Sequence, residues 1–455
     1  MGEFLSWFWG LPMAVLLAGA GLYLSIRCGF IQLRHFPEAM RHVLEGALRR
    51  DAQSADGITP MQALCAALAG TVGTGNIAGV ALAISLGGPG ALFWLWLSAA
   101  LGMATKYAEV TLALRFRERG DGGVWLGGPM YTIKNGLGPR FMPLARCFAF
   151  FGALGALAMG SAIQGGEISS AARTLIMELS ADLAAEKELF SIVIGALVAA
   201  CGFLVLNGGM KRLGRVCEAL VPLMGLVYAL ACIAVICANY WRLGGVLRDI
   251  FVCAFRPQAV CGGIGLRACI GWGLRRGLFS NEAGLGSAPI AHSSAAETEP
   301  VRQGFYGIFE VFADTFVICT LTGLALLCSG AAIPYGSAAS LSLSVSAFAG
   351  VFGGGGAAAI LALCLLLFSL SSLLSWGMYG LRCCGFLLGT RSARVYLLVY
   401  SLCAVLGAAS VRSLVWELAD LTNALMALPN LTSLLLLSGE AARLTRAYFA
   451  QRQRE

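Results

Sequence analysis

Charge is scarce in this chain: only 12% of its 455 residues are Asp, Glu, Lys or Arg, about half the roughly 25% of a soluble domain. With 58% hydrophobic residues and a mean hydropathy of +0.78, no soluble core of this length hides so much apolar surface. The composition excludes a soluble globular protein and implies a polytopic membrane protein whose solvent is the lipid bilayer. Histidine is rarer still, with three residues. Neither these nor the cysteines fall at metal-ligand spacing. His35, His42 and His292 all lie in expected loops. The chain has no paired aspartates, no His-Glu-x-x-His and no Gly-x-Ser-x-Gly elbow, which argues against a membrane-embedded enzyme. It has no soluble ligand-sensing domain, and its polar groups concentrate in a few segments, which argues against a channel or receptor.

Sixteen cysteines form no disulfide framework. Most lie within apolar runs, such as Cys65, Cys201, Cys232, Cys319 and Cys364, where a thiol packs as a small hydrophobe. Cys253 and Cys261 share one expected extramembrane loop, but spacing alone does not establish a bridge. The net charge of +8 does not mark a nucleic-acid surface, because the basic residues cluster between apolar runs, as cytoplasmic loops do. No nucleic acid and no obligate protein partner is expected.

The first apolar stretch, roughly Leu11 to Ile26, lacks the basic n-region of a cleaved signal. It has Glu3 before it and Arg27, Arg34 and Arg41 after it, and reads as a retained helix. Runs long enough to span a bilayer, ~20 residues each, fall near 6–28, 60–86, 90–114, 146–172, 189–207, 214–238, 262–291, 304–330, 354–386, 392–410 and 412–438. That makes about eleven helices. Arg49, Arg50, Arg115, Arg117, Arg119, Arg140, Lys211, Arg212, Arg391, Arg443 and Arg446 occupy one set of loops. By the positive-inside rule the N-terminus is outside and the C-terminus cytoplasmic, in the plasma membrane (bacterial inner membrane). The segment 239–261, read as an outside loop, opposes the rule with Arg242, Arg248 and Arg256.

With the first helix set aside, ten helices divide into five plus five. An odd number of spans in each half inverts the second relative to the first. The expected division is an extra N-terminal helix and cytoplasmic amphipathic segment (1–59), a first repeat (60–240), a second inverted repeat (241–438) and a basic cytoplasmic tail (439–455).

Two matched strings mark the two halves: Asn76-Ile77-Ala78-Gly79 and Asn281-Glu282-Ala283-Gly284. Each lies in a glycine-rich stretch of an apolar segment. Glycine weakens a helix by ~1 kcal/mol relative to alanine, and irregular backbone at membrane depth is tolerated only where it lines a cavity or is buried in protein. A pair of interrupted helices in corresponding positions points to the substrate and ion site of a secondary transporter. Thr71, Thr74 and Asn76 add side-chain oxygens to the first segment, whose alternative reading is close helix packing through small residues. In the second, Arg276 to Pro289, the Ser280-Asn281-Glu282 run is too polar to face lipid. Ser369, Ser371, Ser372 and Ser375, beside Trp376, are either hard oxygen ligands for Na+ or back-bonded to their own helix. Gln164 either bonds a zwitterion or ties two helices. Glu109, Glu218, Glu310 and Asp314 either couple protons or cap helices.

At these residues the chain resembles the alanine or glycine:cation symporter family. The resemblance is carried by Gly73-Thr74-Gly75-Asn76-Ile77-Ala78-Gly79-Val80-Ala81, Gly127-Gly128-Pro129-Met130-Tyr131, the run Gly277 to His292, Pro300-Val301-Arg302-Gln303-Gly304, and Asn423 to Asn430. It implies an all-α LeuT-like fold of two inverted five-helix repeats plus one extra N-terminal helix. It also implies Na+-driven, less often H+-driven, uptake of a small neutral amino acid such as alanine or glycine. Carried over by position, the substrate meets Thr74, Gly75, Gln164, Phe279, Ser280 and Trp376. The Na+ site uses the carbonyls of Ala69 and Val72 with the hydroxyls of Ser371 and Ser372. The family's Phe-Ser-Thr and Gly-Trp are replaced here by Leu370-Ser371-Ser372 and Ser375-Trp376. Serine keeps the hydroxyl ligand, and Ser375 narrows the site. Thr71 brings no carboxylate to the first break.

Overall fold

The computed structural model describes residues 11–48, 57–120, 123–177, 187–256, 264–410 and 413–452. Its helices are α1 (Leu11–Arg27), α2 (Phe36–Leu48), α3 (Pro60–Thr71), α4 (Val80–Gly87), α5 (Ala91–Arg115), α6 (Met142–Gly155), α7 (Gln164–Met177), α8 (Lys187–Asn207) and α9 (Gly209–Ala238). They continue with α10 (Leu243–Phe255), α11 (Leu266–Asn281), α12 (Ala288–His292), α13 (Pro300–Val311), α14 (Thr320–Cys328), α15 (Leu341–Leu388), α16 (Thr390–Ala409), α17 (Ser413–Leu436) and α18 (Ser438–Arg452). Wide π turns join α6 to α7 (Ala156–Ile163) and α13 to α14 (Phe312–Cys319). A two-residue hairpin pairs Glu118 with Leu126 and Arg119 with Trp125. Among the described residues, six helices are long and apolar enough to cross a membrane, or up to eight if each bent pair counts as one span.

The helices are apolar on both sides because both sides avoid water. In α9, Leu213, Cys217, Val221, Met224 and Tyr228 are buried at helical spacing, while Leu223, Leu226 and Leu230 face outward. Such outward leucines suit acyl chains. Lipid supplies no hydrophobic force between helices, so small residues set the packing. A Cβ at Gly407 of α16 would collide with the Ala162 backbone.

Several expectations need correction. Segment 239–261 is not merely a loop: α10 is a helix whose Ala254 carbonyl accepts the Trp94 indole N–H at 2.9 Å. A Cβ at Gly90 would meet the α10 backbone, which is why this helix seats on α5. The span expected at 354–386 is part of a longer helix, Leu341–Leu388, interrupted by left-handed Gly353 (φ 72°). The C-terminal tail is mostly the packed helix α18. His42 and His292 lie on helices, and His292 is fully buried. Cys261 lies outside the described residues.

Candidate functional site

Both marked segments are broken. α3 and the Gly75–Gly87 stretch meet at a 54° bend. The helix ladder fails there for a visible reason. The Gly73 N–H, which would donate to the Ala69 carbonyl, donates instead to Asn76 Oδ1 at 2.8 Å. The Asn76 N–H, due to the Val72 carbonyl, turns to Gly73 O at 3.1 Å. The carbonyls of Ala69 and Val72 are thereby released from the helix. In the other half, α11 ends at Asn281 and Glu282 takes a left-handed conformation (φ 51°), followed by Gly284 (φ 96°) and Gly286 (φ 84°). Here the Asn281 side chain plays the matching part, its Oδ1 accepting the Ala283 N–H at 3.1 Å. The repeated asparagine is a local backbone cap in both breaks.

Neighbouring helices satisfy the rest of the second break, as membrane burial demands. Glu109 Oε1 of α5 accepts the Gly284 N–H at 3.1 Å, and Asn430 of α17 donates to both Glu109 Oε1 and the Gly284 carbonyl, at 2.5 and 2.9 Å. Glu282 is bonded by Ser287.

The two breaks meet on one carboxylate. Asp314, fully buried in the π turn after α13, accepts Asn76 Nδ2 at 2.6 Å on Oδ1 and Ser280 Oγ at 2.9 Å on Oδ2. Thr315 Oγ1 adds a third bond at 2.8 Å. One turn before it, Glu310 gathers a second buried network. Its Oε1 receives Lys106 Nζ at 3.2 Å and Thr71 Oγ1 at 2.9 Å, and its Oε2 lies 3.1 Å from His292 Nε2. The Gln303 amide donates to His292 Nδ1 at 2.8 Å, so the imidazole presents Nε2–H to the carboxylate. Thr71 closes α3 and His292 closes α12, so Glu310 holds the intact helix beside each break.

The expected ion ligands come together. Ser371 Oγ lies 3.2 Å from the Ala69 carbonyl, and Ser372 Oγ lies 3.2 Å from where a Cβ at Gly73 would stand. Ser371 also back-bonds to Phe368 O at 2.8 Å. Ser375 Oγ donates to the Ala66 carbonyl at 2.8 Å, so it fastens α15 to α3. Val72 is buried.

The expected substrate residues are less uniformly gathered. Thr74 and Gly75 start the π turn of the first break, and a Cβ at Gly75 meets nothing within 4 Å. Phe279 is half-buried, with the Arg276 guanidinium 5.8 Å from its ring centre. Trp376 is fully buried against Gly160, one helical turn from Gln164. Gln164 donates to its own helix at Met159 O, 3.2 Å away, while its buried Oε1 has no hydrogen-bond partner among the described residues. Ser280 does not have a free hydroxyl, since Asp314 and Cys319 engage it. A cavity of about 490 Å³ lies between the hairpin and the ends of α8 and α15, with Trp125, Tyr131, Leu206, Lys211, Met378 and Arg382 in its wall. Sequence reasoning passed over Lys106 altogether and left Glu109, Glu310 and Asp314 undecided between proton coupling and helix capping. The available signal was ionisable residues inside apolar spans.

The whole chain, residues 1–455, matches the description of the Sodium:alanine symporter family. It is 39% identical to the sodium/alanine symporter AgcS of Methanococcus maripaludis, over 99% of this chain and 97% of that protein. It is 40% identical to an uncharacterized transporter of Haemophilus influenzae, over 98% and 94%, and 36% identical to a probable sodium/glutamine symporter, GlnT, of Bacillus subtilis, over 94% and 86%. Among solved structures, MhsT in complex with L-phenylalanine superposes with a TM-score of 0.57 at 14% identity, over 85% of this chain and 98% of that one. At that identity the likeness concerns the fold alone, and it bears out the LeuT-like architecture.

Proposed function

Since the chain belongs to the sodium:alanine symporter family and is a multi-pass membrane transporter, not an enzyme, we propose that it couples inward Na+ movement to uptake of a small neutral amino acid, alanine or glycine. The observation that carries this reading is the meeting of the two broken helices on Asp314, beside carbonyls that their own helix has released. Na+ binds the Ala69 and Val72 carbonyls and the Ser371 and Ser372 hydroxyls, four hard oxygens suited to that ion. The amino-acid carboxylate lies at the exposed N–H groups of the first break, by Thr74 and Gly75, where a helix N-terminus favours negative charge. The orphan Gln164 Oε1 accepts from the ammonium, and Phe279 and Trp376 limit side-chain size. The repeats divide at 60–240 and 241–438, with the N-terminus outside. The 490 Å³ cavity, walled by Lys211 and Arg382, is the route of release to the cytoplasm. Ion and substrate each raise affinity for the other, because both stabilise the same closed arrangement.

In proteoliposomes, labelled alanine is expected to accumulate only with an inward Na+ gradient, with choline as control. Uptake that follows a pH gradient and ignores Na+ would transfer the coupling to protons. Uptake indifferent to both would remove it. Gly75→Ala tests the substrate pocket. Its added methyl meets open space in the protein, so the melting temperature is expected to hold. It would crowd the carboxylate that alanine and glycine share, so KM should rise roughly 10-fold or more for both. An unchanged KM for both substrates would place the pocket elsewhere.

A further inference from the structure

On the face carrying the basic loops, α1 turns at Cys28–Gly29 into the one-turn helix Ile31–Arg34 and then α2, and α18 folds back over them. His35 stacks on Phe449 with ring centres 3.8 Å apart, and Arg452 pairs with Glu38. Between these helices is a cavity of about 760 Å³, with none of the expected substrate or ion ligands in its wall. The basic side chains of its wall are Arg34, His35, Arg41, Arg446 and Arg452, against the single carboxylate of Glu38. Glu38 is already engaged, by Arg452 and by His35 Nδ1 at 3.2 Å. Burial, then Arg34 and Arg452, hold the His35 imidazole below its usual pKa, as a positive cavity should. Four arginines and one histidine thus line a single space with one carboxylate, an excess of positive charge that an anion would balance.

We propose that this cavity binds a phosphate anion, and that its occupant is the headgroup of an anionic phospholipid. Guanidinium forks match phosphate oxygens two at a time, and basic pockets at the membrane boundary take such headgroups. Exposed leucines on the same two short helices select lipid over free phosphate. Leu33, Leu44 and Leu48 are 61%, 57% and 86% exposed. Leu44 and Leu48 lie three and seven residues after Arg41, on its face of α2. A soluble phosphate has no use for these leucines, whereas acyl chains cover them.

The test uses the full chain in detergent, titrated with phosphatidylglycerol, phosphatidylcholine or inorganic phosphate, and read by native mass spectrometry and thermal melting. Phosphatidylglycerol is expected to bind and to raise the melting temperature, while phosphatidylcholine does neither. Arg41→Gln with Arg446→Gln, both exposed side chains, is expected to weaken phosphatidylglycerol roughly 30-fold. Uptake in phosphatidylcholine vesicles should stay unchanged. Arg446→Gln alone serves if the pair disturbs folding, with a loss of about fivefold. Equal phosphatidylglycerol binding by variant and parent overturns the proposal, as does equal binding of phosphatidylcholine. Inorganic phosphate that displaces the lipid and stabilises as well overturns the lipid assignment.

Discussion

Glu310→Gln is expected to abolish concentrative uptake and to lower the melting temperature of the purified protein sharply. The Lys106–Glu310 pair is fully buried, with Thr71 and His292 on the same carboxylate. Removing one partner of such a pair leaves an uncompensated charge and costs about 3–5 kcal/mol. The same carboxylate positions the ends of α3 and α12, so a variant that still folds should misplace both breaks. Lys106→Met should destabilise for the same reason. The double variant Lys106→Met with Glu310→Gln should recover most of the lost stability, since an apolar replacement of a buried pair is often near neutral. It should not recover transport. Thermal melts and uptake on the same preparations separate the two effects. Parental stability in Glu310→Gln would show that the network carries no such burden.

The second large effect is expected from Ser371→Ala combined with Ser372→Ala. Alanine differs from serine by one hydroxyl, and the Ser371 hydroxyl bonds only backbone carbonyls, those of Ala69 and Phe368, so folding should survive. A hydroxyl bonded to a charged group contributes about 1.5–3 kcal/mol. Loss of one therefore raises the Na+ concentration for half-maximal uptake roughly 10- to 150-fold, and loss of both more. The check is alanine uptake against Na+ concentration. Unchanged Na+ affinity removes these serines from the ion site.

The places where the helices break were legible because they are local. Glycine runs and a polar string inside an apolar segment have no other inexpensive explanation at membrane depth. The serine group was legible for the same reason. What stayed hidden was pairing. Lys106 and Glu310 are far apart in the chain, and no periodicity joins them. Ser280 and Asn76 looked like independent polar residues until Asp314 was seen between them. Helix α10 was hidden differently. Its arginines read as a loop, yet Leu243, Val246, Ile250 and Ala254 recur at helical spacing, and the helix packs against α5, α11 and α14. In α18 the buried face is small, Ala441, Ala442 and Thr445, too slight to stand out from a charged tail.

Asp314 behaves as a yoke. A carrier leaks when the ion slips through without its passenger, or the passenger without the ion, and that requires the two halves to move out of step. Asn76 and Ser280, one from each break, are tied to the same buried acid, so a displacement of either break pulls on the other.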